Sequence, residues 1–474
     1  MGVAYASPHK DDVTTDHAGL VSCVPEIVGR RCNRFSPSHT VTMDKSMPII
    51  IVGAGAFGLS TALHLLNAHY SNILVVDKAE AVPSRFSAAS DINKIVRADY
   101  EDVFYTKLAL EAFEGWKTPL FGPYYHQTGY IVATSGSAPP KAVEVLEKSL
   151  SSVQSRPEFD NEIDLLHSAD DFRKFVWQFS GPMNGFKGYH NRLAGYGHSG
   201  NALKAVHRHC AARGVRFLLG DAGNVTDLLY DASGRCTGVR TADDAEHAAA
   251  RTVCALGAYG ASLIPGLAKF TVARCWSVAH VQLTEDEADF LRGIPVTNVR
   301  DLGFFFEPDP ATRLLKLCPL GAGFTNTVDG TSTPTEFPSA RSQDFIPPDD
   351  EHKLRALLRE TLPWLADRPF VDRKFCWFSD TQDSEYCIDF VPGTSHSLVV
   401  LSGDSGHGFK MMPVFGKWVR QLLETGRQEL PRWQWRTPNG ESDDWGNSVS
   451  WRVGTVREMK DLIAENEAAS KARL

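Results

Sequence analysis

The stretch MPIIIVGAGAFGLSTALHLLNAHYSNILVVDKAE, residues 47–80, narrows the possible folds more than any other part of the chain. Ile49 to Val52 form a short, wholly apolar, β-branched run, which favours a buried strand. Gly53, Gly55 and Gly58 follow as GxGxxG, and Leu59, Leu63 and Leu66 recur at helical spacing. A second apolar run then ends in Asp77. This order of strand, glycine turn, helix and strand predicts a parallel βαβ unit that binds a dinucleotide. Gly53 permits the tight turn, Gly55 lets the backbone approach a pyrophosphate, and Gly58 lets helix and strand pack closely. The helix start faces the phosphates, with Ala56 and Phe57 in its first turn. Asp77 accepts from ribose hydroxyls and disfavours a 2′-phosphate.

The fold class expected is therefore α/β, a Rossmann-like dinucleotide domain joined to a second α+β domain, and 474 residues suffice for both. A formal charge of −8 argues against nucleic acid or an anionic membrane as main partner. No apolar run reaches bilayer length. The nine cysteines are scattered and never spaced as CxxC, which indicates neither a disulfide framework nor a metal site. Residues 1–46 are polar, lack the features of a secretory signal, and are expected to be disordered, with Met43 or Met47 as a possible start. The chain ends Ala472-Arg473-Leu474 after Lys471, a variant of the peroxisomal Ser-Lys-Leu address; a cytoplasmic location is the alternative.

Two later segments bear on the cofactor. TVCALGAYG reads as a buried strand ending in small residues around Gly257, where a second loop would close over an extended dinucleotide; a plain strand–loop connection fits the spacing equally well. SLVVLSGDSGHGFKMMPVFGKWVRQLLETG repeats the grammar of the first loop, with a strand, a glycine-rich turn from Gly403 to Gly408, and a helix burying Phe415, Trp418, Val419, Leu422 and Leu423 on one face. Pro413 fits that helix's first turn. Its N-terminus would offer positive potential where negative charge develops on a reduced ring.

Four ordered segments carry a family resemblance. GDSGHGFKMMP resembles the SGHGFK segment of amine-oxidising flavoproteins that include monomeric sarcosine oxidase, pipecolate oxidase, saccharopine oxidase and fungal fructosyl-amino-acid oxidases. FCWFSDTQDSEYCIDF is similar to their CxxxDTxDxxFxID segment, and SDINKIVRADY to their loop after the second strand. With the first glycine loop, the match runs from about Pro48 to about Trp435. The resemblance implies a glutathione-reductase-like or D-amino-acid-oxidase-like fold that binds FAD. It implies that Cys376 is joined through sulfur to the flavin and that Lys316 sits over the flavin to speed reaction with O2. Lys410 and Arg97 would share the substrate carboxylate, and Lys94 would lie beside the ring. Further cofactor contacts are implied at Lys78, Ser90, Asn93, Val225, Gly257, Asp404, Gly406, Gly408 and Phe409. His407 either contacts the flavin edge or packs within the turn. Two departures stand out: no histidine follows Lys316 shortly, and Phe378-Ser379 replace the Cys-Ala of several fructosyl-amino-acid oxidases.

The resulting expectation is an FAD domain of residues 47–95, 196–270 and 371–425. Residues 96–195 and 271–370 would form a substrate domain on an antiparallel sheet, with FFFEPDP and SVAHVQLTEDE among its strands. Residues 426–474 would be a tail packed back on the body. The implied reaction is oxidation of the C–N bond of a secondary-amine amino acid, with O2 as acceptor, an imine and hydrogen peroxide as products, and a monomer as the working unit. Fructosyl amino acids are the alternative substrates. A nicotinamide-dependent dehydrogenase using only the first loop is the rival from another class.

Overall fold

In the computed structural model of the chain, the residues described are 44–335, 345–436 and 454–472. A six-stranded sheet runs in the order Cys387–Phe390, Leu398–Ser402, Arg251–Cys254, Ile49–Val52, Ile73–Asp77, Arg216–Leu219. All its pairings are parallel except that of the outermost strand, Cys387–Phe390. The βαβ unit lies at its centre, and the apolar run of the first strand is explained by cover on both faces. Ile49 and Ile51 enter one core while Ile50 and Val52 enter another.

The helix Ala56–Asn67 packs against the late helix Phe415–Thr425, with the Phe57 and Phe415 ring centroids 4.3 Å apart. That late helix starts at Phe415, two residues after Pro413, so the expected helix start at the glycine turn is corrected. The turn leads first into a short 3-10 segment, Phe409–Met411. The chain then bends because the first helix takes its carbonyls: Ser60 Oγ donates to Met412 O at 2.5 Å and His64 Nε2 lies 2.7 Å from Pro413 O.

A ten-stranded sheet forms the second layer system. Its longest pairing joins Thr271–Gln282 to Phe370–Thr381. The expected piece 371–425 therefore begins in this sheet; Cys387–Phe390 and Leu398–Ser402 are its strands in the parallel one. The sheet is mixed where an antiparallel one was expected: Val296–Val299 runs parallel to Tyr130–Thr134, and Phe324–Thr325 parallel to Arg457–Glu458. Strand alternation sorts its residues. Ile131, Ala133, Val299, Phe305, Leu315 and Leu317 pack under the helices Ala169–Phe175 and Pro348–Thr361. Tyr130, Asn298, Phe304, Lys316 and Cys318 belong to the opposite face.

The expected disorder of residues 1–46 lies outside the described residues up to 43. Asp44–Ser46 form a turn instead, in which Lys45 Nζ donates to Ala68 O at 2.7 Å. Trp433 is buried against Trp418 and Phe104, whereas residues 437–453 and the Arg473-Leu474 ending lie outside the described residues. No described helix is long and apolar enough to cross a membrane.

Candidate active site

A cavity of about 430 Å³ runs from the carboxyl ends of the parallel strands to the inner face of the ten-stranded sheet. Such strand ends are where open α/β sheets take ligands. At one end lie Gly53, Gly55, Ala56, Phe57, Asp77, Lys78, Val225 and Gly257. Asp77 is fixed by the loop it serves, accepting from Ala54 N at 2.8 Å and Ala79 N at 2.9 Å. Gly55 caps the first helix without a side-chain hydrogen bond, leaving the first-turn amides directed to the cavity. Lys78 Nζ stands 4.0 Å from the Phe86 ring centroid and 4.1 Å from that of Tyr259.

At the other end lie Lys94, Arg97, Lys316, Cys376, Asp404, Gly406, His407, Gly408, Phe409 and Lys410. Three expected cofactor contacts are not on the lining. A Cβ on Gly58 would meet Gly53 O at 1.8 Å, so this glycine serves helix–strand packing. Ser90, half-buried, is not on the lining, and Asn93, buried, contributes its carbonyl to Lys316 at 2.8 Å.

One carboxylate organises the lysines. Asp91 receives Lys316 at 2.5 Å, Lys94 at 3.0 Å and Lys374 at 3.7 Å. Burial alone would protonate it; Lys316, Lys94 and Lys374 together hold its carboxyl well below the usual range. Burial depresses the Lys316 ammonium, against the pull of Asp91. Lys94 has the opposite balance: burial works against its charge, but the Cys376 sulfur and Asp91 raise it above the ordinary range. Its Nζ is 3.4 Å from Cys376 Sγ.

Two further cations face the cavity outside any ion pair, with Asp99 acting on Arg97 and Asp404 on Lys410 only at longer range. Lys410, buried, donates to His407 O at 3.0 Å, and Arg97 donates to Asp99 O. Neither makes an ion pair among the described residues. Burial first, and Arg97 second, hold the Lys410 ammonium well below its ordinary range. His407 is clamped: Nε2 lies 3.0 Å from Ser384 O, and the Tyr100 and Tyr386 hydroxyls each lie 3.1 Å from Nδ1. Burial pushes its pKa down to about 3, so the ring is neutral at working pH. Asp404, also buried, is engaged by its own loop, accepting from Gly406 N at 3.0 Å and Ser379 N at 3.2 Å. Desolvation pushes its pKa up to about 6.

Sequence reasoning missed Asp91, Trp276, Asn298 and Arg300. Asp91 carried a signal, an acid three residues before Lys94. Trp276 packs directly on the late glycine loop: a Cβ on Gly406, at φ +74°, would lie 2.6 Å from its ring.

The shape and lining of this cavity suit an extended dinucleotide, and the whole-chain comparison agrees. Residues 48–422 match the model of the FAD dependent oxidoreductase family. The chain belongs to that family. Being FAD-dependent, it loses the nicotinamide alternative. The family member L-saccharopine oxidase of Schizosaccharomyces pombe is 33% identical over 438 residues, covering 88% of this chain and 98% of its own. Monomeric sarcosine oxidase from a Bacillus species is 25% identical over 82% of this chain and 94% of its own. Among solved structures, the deglycating fructosamine oxidase of Aspergillus fumigatus (Amadoriase II) superposes with a TM-score of 0.78 at 33% identity, covering 89% of this chain and 97% of that one. FAD fits the residues present: uncapped helix amides and Asp77 at one end, and at the other a cavity wall that includes Trp276, Cys376 and the residues from Gly406 to Lys410.

Proposed function

We propose that the protein is an FAD-dependent oxidase of the C–N bond of a secondary-amine amino acid, giving an imine and hydrogen peroxide. The observation that carries this reading is the pair Arg97 and Lys410, two cations facing the cavity with no acid partner among the described residues. A substrate α-carboxylate supplies the missing charge, and two donors fix its orientation. The relatives named for saccharopine and sarcosine support a secondary amine; the likeness to fructosamine oxidase supports fructosyl amino acids as a second reading.

When bound, FAD supplies two-electron oxidation and, through O2, its own reoxidation. The chain's residues do the rest. Arg97 and Lys410 hold the carboxylate, and their positive potential disfavours a protonated substrate amine nearby, which keeps the lone pair available for oxidation. His407 stays neutral and lends rigidity through its two tyrosines. Lys316, held by Asp91, supplies a buried positive charge where oxygen takes up electrons. Cys376, beside Lys94, is the residue for a covalent thioether to the flavin.

Anaerobic mixing with N-methyl, cyclic and N-carboxyalkyl amino acids, read as flavin bleaching, tests the reaction. At least one series should bleach the flavin and release peroxide when air is admitted; bleaching by none would defeat the reading. Acid precipitation should leave the flavin in the pellet for the unmodified protein and in the supernatant for Cys376→Ser.

A further inference from the structure

The wall opposite the glycine loops holds a third cation that the proposed chemistry does not use. Arg300 closes the strand Val296–Val299, lines the cavity and is only 8% exposed. It makes no ion pair among the described residues, and its Nε is buried without a hydrogen-bond partner. Asn298, two residues before it, lines the cavity too; the Tyr130 and Tyr189 hydroxyls lie off the lining, in the field of the buried Asp99, whose Oδ1 has no hydrogen-bond partner.

Strand register explains why these groups converge. Val132 pairs with Asn298 on one side and with Tyr189 on the other, so both side chains share its face, and Tyr130, two residues before Val132, does too. Arg97 and Arg300 both act electrostatically on the Tyr130 hydroxyl. The tyrosine thus lies within electrostatic reach of the guanidinium proposed to hold the α-carboxylate, of the one left over, and of Asp99. A buried arginine outside any ion pair, with its Nε unpartnered, is costly unless a ligand completes it. An anion with two acceptor oxygens matches the guanidinium fork.

We infer that Arg300 is a specificity-determining residue: with Asn298 beside it on the cavity wall it forms a second anion subsite, which selects amino acids whose nitrogen bears an arm ending in a carboxylate. The inference rests on the amine-oxidase reading above and names the substrate class within it. One substrate then carries two carboxylates, the first on Arg97 and Lys410 and the second on Arg300, with the C–N bond between them. A neutral arm leaves the Arg300 charge buried and uncompensated, so binding discriminates against it.

The test uses the flavin-loaded enzyme and N-(ω-carboxyalkyl)glycines with arms of increasing length, each paired with its ω-methyl ester. At the best arm length the acid should exceed its ester in kcat/KM by about 30-fold, the range expected of a hydrogen bond to a charged group. Arg300→Gln should collapse that ratio to near one, chiefly through KM; Arg300→Lys should restore part of it; Arg300→Glu should invert it. Calorimetric titration with thioether analogues, in which sulfur replaces the reacting nitrogen, should give the same acid-over-ester preference in binding. An acid-to-ester ratio near one in the unmodified enzyme, or a ratio left intact by Arg300→Gln, overturns the inference while leaving amine oxidation in place. If no amine of either series bleaches the flavin but the thioether diacid still binds through Arg300, the reaction is wrong and the subsite stands.

Discussion

Lys410 is a buried ammonium with a backbone carbonyl and no carboxylate to hold, and its chemistry follows from that shortage. Its folded pKa lies below the ordinary 10.5, so the ligand-free protein gains stability as pH rises through the folded value toward 10.5. Binding a carboxylate reverses the balance, because the anion requires the proton. The Ki of (methylthio)acetate, which has no amine to titrate, should be flat at low pH and rise as Lys410 deprotonates. In Lys410→Arg the rise should vanish, since guanidinium stays charged. Lys410→Met should lower kcat/KM by about 10- to 150-fold, matching about 1.5–3 kcal/mol for a charged hydrogen bond. Asp91 gives the complementary case. Its carboxyl is held below 3.8, so the stability it contributes is present above that value and is lost as pH falls through the lower folded pKa. Asp91→Asn should cost about 3–5 kcal/mol in thermal denaturation by leaving Lys316 and Lys94 without their anion, while Lys374 keeps Asp372. Lys316→Met should leave anaerobic flavin reduction nearly intact and slow reoxidation; equal loss in both half-reactions would reject its assigned place.

At the scale of elements, the first βαβ unit depends on contact between backbones. Gly58→Ala would place a methyl 1.8 Å from Gly53 O, and neither strand nor helix has room to yield. The substitution should destabilise the protein by about 3 kcal/mol, read as a fall in the urea midpoint at unchanged slope. This unit was legible in the sequence because its signals are local: an apolar run, glycines at fixed offsets, and an acid at the strand end. The late loop was half legible. Its glycines and Lys410 were clear, but the helix start was misplaced, because Ser60 and His64, some 350 residues away in the chain, take the carbonyls of Met412 and Pro413. Arg300 was invisible. Alternation puts Asn298 and Arg300 on one face of a strand, but whether that face meets solvent or a cavity depends on Tyr130 and Tyr189, which reach it only through sheet pairing. Asp91 stood in a motif already singled out, and its three-lysine role needed Lys374 and Lys316 from distant strands.

Across the whole molecule, the cavity is bounded by two sheets, so the cofactor acts as a shared core. Removing FAD should lower the melting temperature and raise hydrogen exchange together at Gly53–Phe57 and Gly403–Lys410, while Ile163–Leu166, at the far edge of the large sheet, should exchange as before. Independent changes in the two loops would show that they do not close on a common ligand. The same arrangement separates two tasks by strand. Lys316 and Cys376 sit in Leu314–Pro319 and Phe370–Thr381, both paired to the long strand Thr271–Gln282, whereas Asn298 and Arg300 stand on the opposite side of Gly303–Phe305, where the pairing turns parallel. Selection can therefore rewrite the acceptor of the substrate's arm one strand at a time and inherit the redox apparatus unchanged. A single ancestral scaffold could in this way give rise to a lineage of oxidases that differ in diet and share a metabolism of oxygen.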